Sequence, residues 1–200
     1  MIAIINYSAG NLRSVKRALD FLGIMNEITN SPKKVEEADA VIVPGVGAAG
    51  TAMRSLEEAG LAETIRKSIA AGKPFLGICL GLQILFEKSA EDDSKCLGVL
   101  EGEVVKFSAP EIKVPHIGWN PVEFSETPQI LVGIESDTPF YFAHSYFGVP
   151  QDENLVKATT THGEIFPAVV NRGNVWGVQF HPEKSGRVGL QVLENFAKMI

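Results

Sequence analysis

One cysteine of this chain lies in a setting that suits a covalent nucleophile. Cys79 is the centre of Gly77-Ile78-Cys79-Leu80-Gly81, a segment of the form G-x-nucleophile-x-G between an apolar run and a helical pattern. The glycines leave room for the sharp turn that lifts a nucleophile above a sheet. A helix N-terminus after the turn favours a thiolate, the reactive form, and directs the N–H of Leu80 to where an oxyanion would form. A buried core cysteine is the ordinary alternative, but glycines two residues to either side serve no packing purpose there.

A histidine and a glutamate far along the chain could complete this chemistry. His181-Pro182-Glu183 follows the apolar run 175–180, so His181 ends a predicted strand, as Cys79 does. A histidine that activates a thiol needs a third group to fix its tautomer, and a carboxylate supplies one. By itself this tripeptide would equally suit a solvated loop. H-x-E also opens the zinc deaminase signature, but no cysteine follows Glu183. We therefore predict a Cys79, His181 and Glu183 triad, with no metal.

A glycine-rich segment precedes the nucleophile. Residues 45–50 read G-x-G-x-x-G after an apolar run, as in a dinucleotide-binding loop. That fingerprint belongs after the first strand of its unit, with an acidic residue ending the next strand. Here the next strand ends at Cys79, so nucleotide binding is the minor alternative. We expect this loop to lie beside the nucleophile and to offer a backbone N–H of Val46 or Gly47 to an oxyanion.

The elements that would position these residues alternate in the first half of the chain. Apolar runs at 1–7, 38–44 and 74–78 read as strands, 25–30 is a further strand candidate, and helical patterns occupy 11–22, 51–71 and 80–88. Asn11 is expected to cap the first helix. Such alternation predicts a mostly parallel sheet flanked by helices.

The second half of the chain has a different pattern. Strand-like segments at 97–107, 121–124, 140–145, 155–161, 165–171 and 175–180 are joined in several places by short turns, and a helix is predicted at 185–199. Short turns between strands indicate hairpins. We therefore expect one α/β domain over residues 1–200, with an antiparallel extension.

Composition narrows the classes of function. The 200 residues carry a formal net charge of −6 without a Lys/Arg run, which argues against a nucleic-acid partner. No apolar stretch is long enough to span a bilayer, and the first residues lack the pattern of a signal peptide. Two cysteines, Cys79 and Cys96, are too few for a disulfide framework. These features predict a cytoplasmic protein that binds neither nucleic acid nor membrane.

Taken together, these motifs resemble those of the class I glutamine amidotransferases, which have a Cys-His-Glu triad on a flavodoxin-like α/β fold. The resemblance spans nearly the whole chain, and the triad occurs in the family's order. Within the family, the chain is similar to the glutaminase subunits of imidazole glycerol phosphate synthase. This finer resemblance rests on the segments 44–47 (PGVG), 77–83 (GICLGLQ), 115–120 (PHIGWN) and 181–185 (HPEKS). Ser8 and Leu82 depart from the family pattern, and neither belongs to the triad.

The resemblance implies a function, a substrate and a partner. Glutamine would be hydrolysed to glutamate and ammonia without a cofactor, and a cyclase subunit in a heterodimer would use the ammonia in histidine biosynthesis. It assigns Gln83 and Glu91 to the glutamine head group and Ser145 and Tyr146 to the same pocket. It places Asn11, Trp119, Asn120 and Lys184 near the partner. The alternatives are a glutaminase that serves another synthase, such as the one making pyridoxal phosphate, and a silent scaffold subunit.

Overall fold

The computed structural model describes residues 1–7 and 10–200. The segment Ser8-Ala9-Gly10 predicts a turn after the first strand, and its first two residues lie outside the described residues. The strands, in chain order, are β1 (Ile2–Ile5), β2 (Asn26–Thr29), β3 (Ala40–Val43), β4 (Phe75–Ile78), β5 (Lys88–Ser89), β6 (Ser94–Lys95), β7 (Gly102–Lys106), β8 (His116–Val122), β9 (Thr138–His144), β10 (Tyr146–Pro150), β11 (Val156–His162), β12 (Glu164–Arg172) and β13 (Val175–Val178).

Helices cover the sheet. They are α1 (Leu12–Phe21), α2 (Pro32–Glu37), α3 (Ala49–Glu58), α4 (Leu61–Ala70), α5 (Leu80–Gln83) and α6 (Gly186–Ala197), with short 3₁₀ helices at Gln129–Leu131, Glu153–Leu155 and Pro182–Lys184. Among the described residues, no helix combines the length and the apolar character that crossing a membrane would require.

The main sheet confirms the predicted fold class. Its strand order is β2-β1-β3-β4-β13-β12-β11. The pairs from β2 to β13 are parallel, whereas β12 and β11 are added antiparallel. Strands β1, β3, β4 and β13 are buried along their whole length, as expected where helices cover both faces of a parallel sheet.

Two apolar layers lie on the two faces of this sheet. Alternate residues of a strand point to opposite faces, and in β1 Ile2 and Ile4 join one layer while Ala3 and Ile5 join the other. The first layer includes α1, α6 and phenylalanines of the second half, and the second includes α3 and α4. Apolar packing on both faces therefore holds the sheet in place, including the edge formed by the carboxyl ends of its parallel strands.

Two smaller sheets complete the fold. One has the order β10-β7-β5-β6, and the other is the antiparallel pair β8-β9. In that pair, His116 lies opposite His144 and Trp119 lies opposite Tyr141. A bridge between Glu123 and Thr159 connects the end of β8 to the main sheet.

Some predicted boundaries were wrong. The helix expected over 80–88 ends at Gln83, because the carbonyls of Ile84, Leu85 and Phe86 accept hydrogen bonds from the backbone of residues 97–100. For the same reason the strand expected from residue 97 begins only at Gly102. Helix α2 and strand β10 were not predicted, and the strand expected at 121–124 is β8, which begins at His116.

Candidate active site

The turn at Cys79 has the geometry of a nucleophile elbow. Cys79 adopts φ 52° and ψ −105° between β4 and α5. A side chain at Gly81 would place its Cβ 1.7 Å from the Val43 carbonyl oxygen, and one at Gly77 would lie 2.4 Å from that of Gly81. Both glycines are therefore required, because backbone approaches backbone at each position. The positive φ of a non-glycine residue stores strain at this nucleophile position.

His181 and Glu183 form a buried pair beyond the end of β13. Strands β13 and β4 are parallel, and the Cys79 N–H donates to the Val178 carbonyl at 2.8 Å. The segments that follow these two strands therefore leave the sheet side by side. His181 Nδ1 lies 2.8 Å from Glu183 Oε1, with the two side chains 1% and 0% exposed. Within the described residues, His181 Nε2 makes no hydrogen bond of normal geometry, which leaves it available for a thiol proton.

The charges around His181 favour the imidazolium. Burial lowers the pKa of this histidine, but the negative charge and hydrogen-bonding pull of the Cys79 sulfur, together with the Glu183 carboxylate, raise it to about 10. The protonated ring is thus stabilised from both sides, by the sulfur and by the carboxylate. This is the arrangement that a thiolate–imidazolium nucleophile requires.

Asn11 corrects one expectation. Its side chain makes no capping hydrogen bond to α1, and its backbone adopts φ 76°. Instead Asn11 Nδ2 donates to Glu183 Oε1, the oxygen that also contacts His181. The amide therefore helps to hold the carboxylate that orients the imidazole. Its capping prediction failed because a residue with a positive φ cannot take the extended conformation of a normal N-cap.

A cavity of about 350 Å³ opens at Cys79. The predicted oxyanion residues Val46, Gly47 and Leu80 and the predicted substrate residues Gln83, Glu91, Ser145 and Tyr146 all line it, beside Pro115, Ile117, Ala143 and His144. The fold thus brings together residues from five separate segments of the chain around the nucleophile. A mixed polar and apolar cavity of this size suits a small amino-acid side chain and its head group.

The glycine-rich loop is held at both ends. Tyr7 Oη donates to the Pro44 carbonyl at 2.7 Å, just before Gly45. After the loop, the Ala49 N–H donates to Glu91 Oε2 at 3.1 Å. Burial, and then the charge of Cys79, raise the pKa of Tyr7, so its hydroxyl stays a donor. Burial raises the pKa of Glu91, although the bond from Ala49 opposes the change.

One of the predicted partner residues, Trp119, lies on an exposed face of the β8-β9 pair, and Lys184 is next to that face. Trp119 is 57% exposed, and its ring meets that of Tyr141 with centroids 6.1 Å apart. Lys184 Nζ lies 5.7 Å from the Tyr141 ring centroid. We call Trp119, Tyr141 and Lys184 the docking face. Ile117, which is two residues from Trp119 on the same side of β8, lines the cavity. Asn120 faces inward and donates to the Thr161 carbonyl at 2.8 Å.

Sequence reasoning overlooked Gln179, Tyr7 and His144. Gln179 is fully buried, and its Nε2 lies 3.5 Å from Cys79 Sγ. Tyr7 anchors the glycine-rich loop, and His144 lines the cavity. A usable signal was present for Gln179, because an amide inside an apolar strand two residues before His181 needs a polar partner.

Comparison with known families identifies the class of this protein. The family model described as "Glutamine amidotransferase class-I" matches residues 3–200. The chain belongs to the class-I glutamine amidotransferase family.

Similar proteins from other organisms narrow the class further. The chain is 50% identical over 200 residues to "Imidazole glycerol phosphate synthase subunit HisH" of Moorella thermoacetica, covering 100% of this chain and 95% of the relative. It is 48% identical over 197 residues to the protein of the same name from Aquifex aeolicus, covering 98% and 95%.

Solved structures share the fold. "Crystal structure of glutamine amidotransferase" superposes with a TM-score of 0.78 at 23% identity and covers 100% of this chain and 98% of that one. "Structure of PurLQS from Thermotoga maritima" superposes with a TM-score of 0.77 at 22% identity, covering 99% and 97%.

Proposed function

We propose that this chain is the glutamine amidotransferase subunit of an imidazole glycerol phosphate synthase in histidine biosynthesis. It hydrolyses glutamine to glutamate and ammonia, and delivers the ammonia to a cyclase subunit. The observation that carries the proposal is the strained Cys79 turn beside the buried His181–Glu183 pair at the cavity. The relatives of about 50% identity along the whole chain support the pathway. Residues 1–200 act as one catalytic domain, in the cytoplasm.

The steps follow from the positions of the side chains. The Cys79 thiolate attacks the side-chain amide carbon of glutamine, and the oxyanion is met by the N–H groups of Leu80 and of Val46 or Gly47. His181, holding the proton taken from the thiol, passes it to the departing nitrogen, so that ammonia leaves and a thioester remains. Water then attacks the thioester with His181 as base, giving glutamate and the free thiol. Glu183, held by Asn11, keeps the imidazole oriented.

The substrate residues have distinct roles in this scheme. Gln83 and Glu91 hold the polar head group of glutamine, and Ser145 and Tyr146 form the wall of the cavity. A carboxylate that lines the cavity, as Glu91 does, suits the substrate's ammonium group. Because Glu91 also accepts the Ala49 N–H, head-group binding acts directly on the end of the glycine-rich loop.

The cyclase docks on the docking face, with Asn120 behind it and Asn11 near its edge. Ile117 and Trp119 lie on the same side of β8, so a partner that covers Trp119 also covers the mouth of the cavity. Ammonia then leaves toward the partner rather than to solvent. Turning the Val46 peptide controls the second oxyanion donor, and loss of one such donor costs about a hundred- to a thousandfold in turnover.

The test is glutaminase activity of the isolated chain, with candidate cyclases and with the nucleotide substrate of the cyclase. We expect slow hydrolysis alone and stimulation of about a hundredfold by loaded cyclase. Trp119→Ala and Lys184→Ala should weaken stimulation without lowering the melting temperature. Met25→Ala is the matched control, since Met25 is 74% exposed at the opposite, amino-end edge of the sheet.

Three results would contradict the proposal. Full activity of the isolated chain, unchanged by any cyclase, would exclude the coupling. Stimulation only by a synthase of pyridoxal phosphate would move the chain to that pathway. Absence of glutamine hydrolysis under every condition would leave a scaffold subunit.

A further inference from the structure

Gln179 lies between the nucleophile and a residue of the substrate cavity. Its side chain is 0% exposed, and its backbone N–H is fixed by the Ala168 carbonyl at 2.9 Å. Gln179 Nε2 donates to Cys79 Sγ at 3.5 Å, and Gln179 Oε1 accepts from Gln83 Nε2 at 3.2 Å. A buried amide with both ends engaged is held in one orientation.

The carbonyl of Tyr146 fixes the direction of these bonds. A carbonyl oxygen only accepts, so the Gln83 group 2.6 Å away must be its NH₂. The same NH₂ group also contacts Gln179, which must therefore present its oxygen. The NH₂ of Gln179 is left to face the sulfur. The Tyr146 carbonyl alone thus determines that Gln179 presents its NH₂ group, and not its oxygen, to Cys79.

The same carbonyl fixes a second branch of the network. His144 Nδ1 lies 2.9 Å from the Tyr146 oxygen and must donate, so His144 Nε2 accepts from His116 Nδ1 at 3.4 Å. His116 Nε2 then accepts from Asn120 Nδ2 at 3.3 Å. Both rings must be neutral for this pattern. Burial, together with the charges of neighbouring histidines, lowers the pKa of His116 to about 4 and that of His144 to about 3.

We propose that Gln179 is a positioning residue that holds the Cys79 sulfur as a thiolate, and that the bonds from Asn120 through His116, His144, the Tyr146 carbonyl and Gln83 keep its donor aimed at the sulfur. The inference rests on the proposed function, since it concerns the same nucleophile. A thiolate on a nearly buried cysteine such as Cys79 needs a donor besides its base, and a hydrogen bond to a charged group is stronger than one to a neutral group.

The other groups that face the sulfur do different work. His181 exchanges a proton with it, and Tyr7 is tied to Pro44 by its hydroxyl. Glu183 acts on the sulfur only through His181. Gln179 has no proton to exchange in the range of the enzyme's activity. Its removal should therefore change how readily the sulfur ionises without removing the base.

The first experiment follows alkylation of Cys79 by iodoacetamide as a function of pH, which needs neither glutamine nor cyclase. Gln179→Met removes the donor at similar volume, and Gln179→Glu keeps the shape but offers no donor once ionised. We expect both to shift the midpoint of alkylation upward by about one pH unit and to lower kcat about tenfold or more with little change in KM, as for loss of a hydrogen bond to a charged group.

The matched control is Thr160→Val. Thr160 is also buried and polar, and its hydroxyl has no hydrogen-bond partner among the described residues. The change removes a buried polar group away from the cavity, so alkylation and kcat should stay at their original values. A merely structural role for Gln179 would lower the melting temperature and leave the midpoint of alkylation unmoved, which would overturn the proposal.

The far end of the network gives a variant that does not disturb the core. Asn120→Ala should shift the alkylation midpoint in the same direction as Gln179→Met, by a smaller amount. If both Gln179 variants fail to fold, this shift alone decides, and an unmoved midpoint contradicts the network. A wild-type chain that hydrolyses no glutamine under any condition, loaded cyclase included, refutes the proposed function, whereas the alkylation profiles still decide the role of Gln179.

Discussion

Two histidine sites in this protein are shifted in opposite directions from the ordinary pKa, although burial lowers the pKa at both. We call His116, His144 and His162 the histidine cluster; their rings pack among Phe107, Phe142 and Phe166. Burial lowers the pKa of His116 and His144 there. His181 is just as inaccessible, but the Cys79 sulfur and Glu183 raise its pKa to about 10.

The contrast shows what makes a buried histidine a catalytic base. Removal from water favours the neutral ring in both places. At His181 an anionic partner on each side outweighs that cost. In the histidine cluster the neighbours of each imidazole are other rings, carbonyls and an amide. A buried histidine is therefore poised for acid–base chemistry only where a charged partner is buried with it. Burial alone likewise raises the pKa of the Cys96 thiol to about 11, so this cysteine is a poor nucleophile.

The largest expected effect comes from removing the sulfur. Cys79→Ser should abolish glutamine hydrolysis, because a serine hydroxyl is not ionised here. It should also lower the apparent pKa of His181, since the charge that raises it is gone. Steady-state assays and NMR titration of the imidazole measure the two effects. Residual activity, or a glutamine-derived diazo-ketone that labels Cys96, would refute the triad.

Removing the base is the next largest change. His181→Ala should lower kcat at least about a hundredfold, in line with a positioned acid–base group. Glu183→Gln should cost less, because an amide still holds Nδ1 but cannot stabilise the imidazolium. Single-turnover assays of both variants rank the effects. A Glu183→Gln variant more damaging than His181→Ala would mean that the carboxylate, and not the imidazole, is the essential group.

The histidine cluster should make the fold sensitive to acid. His116 and His144 have folded pKa values below the ordinary value of 6.5. Below pH 6.5 the unfolded chain therefore binds more protons than the folded one, so the free energy of unfolding falls as pH falls toward about 4 for His116 and about 3 for His144. The contribution is complete above pH 6.5. We expect the melting temperature to drop by roughly 5 °C between pH 7.5 and pH 5 from this source.

His116→Phe provides the control for the acid effect. Phenylalanine can stack on Phe142 as His116 does, and it removes one titrating group. Calorimetry at both pH values should show a smaller drop than in the unmodified chain. An unchanged drop would assign the acid sensitivity to carboxylates elsewhere.

The smallest expected effect is at the second cysteine. Cys96 is buried and contacts the Ser94 carbonyl weakly, at 3.8 Å. Cys96→Ser should leave kcat within about twofold and change stability by about 1 kcal/mol or less. A lower kcat with an unchanged melting temperature would show that Cys96 takes part in catalysis, which would contradict its assignment as a buried, unreactive cysteine.

The sequence was informative where a local pattern dictates the structure. The apolar runs predicted β1, β3, β4 and β13 of the parallel sheet, and the glycines around Cys79 predicted the elbow, because each depends on neighbouring residues. The family model and the relatives then agreed with the resemblance carried by the motifs. The roles assigned to the oxyanion, substrate and partner residues remain predictions that the cavity geometry favours.

Contacts between residues far apart in the sequence could not be predicted from local patterns. Nothing local shows that residues 97–100 take the carbonyls that would have continued α5. Nothing local shows that Asn11 reaches Glu183, 172 positions away, or that Gln179 reaches Cys79, 100 positions away. Such pairs depend on strand order in the sheet, which periodicity does not encode.

The two anchors of the glycine-rich loop limit the size of any motion there. Tyr7 holds Pro44, Glu91 holds Ala49, and Gly47 with φ 110° lies in between. Only three peptides lie free between these two anchoring hydrogen bonds, so α3 need not move when an oxyanion donor turns. Activation by a partner would then be a crankshaft rotation of one peptide plane and not the closing of a lid. Because so few atoms move, the rotation itself need not limit turnover, and arrival of the partner's substrate would set the pace instead.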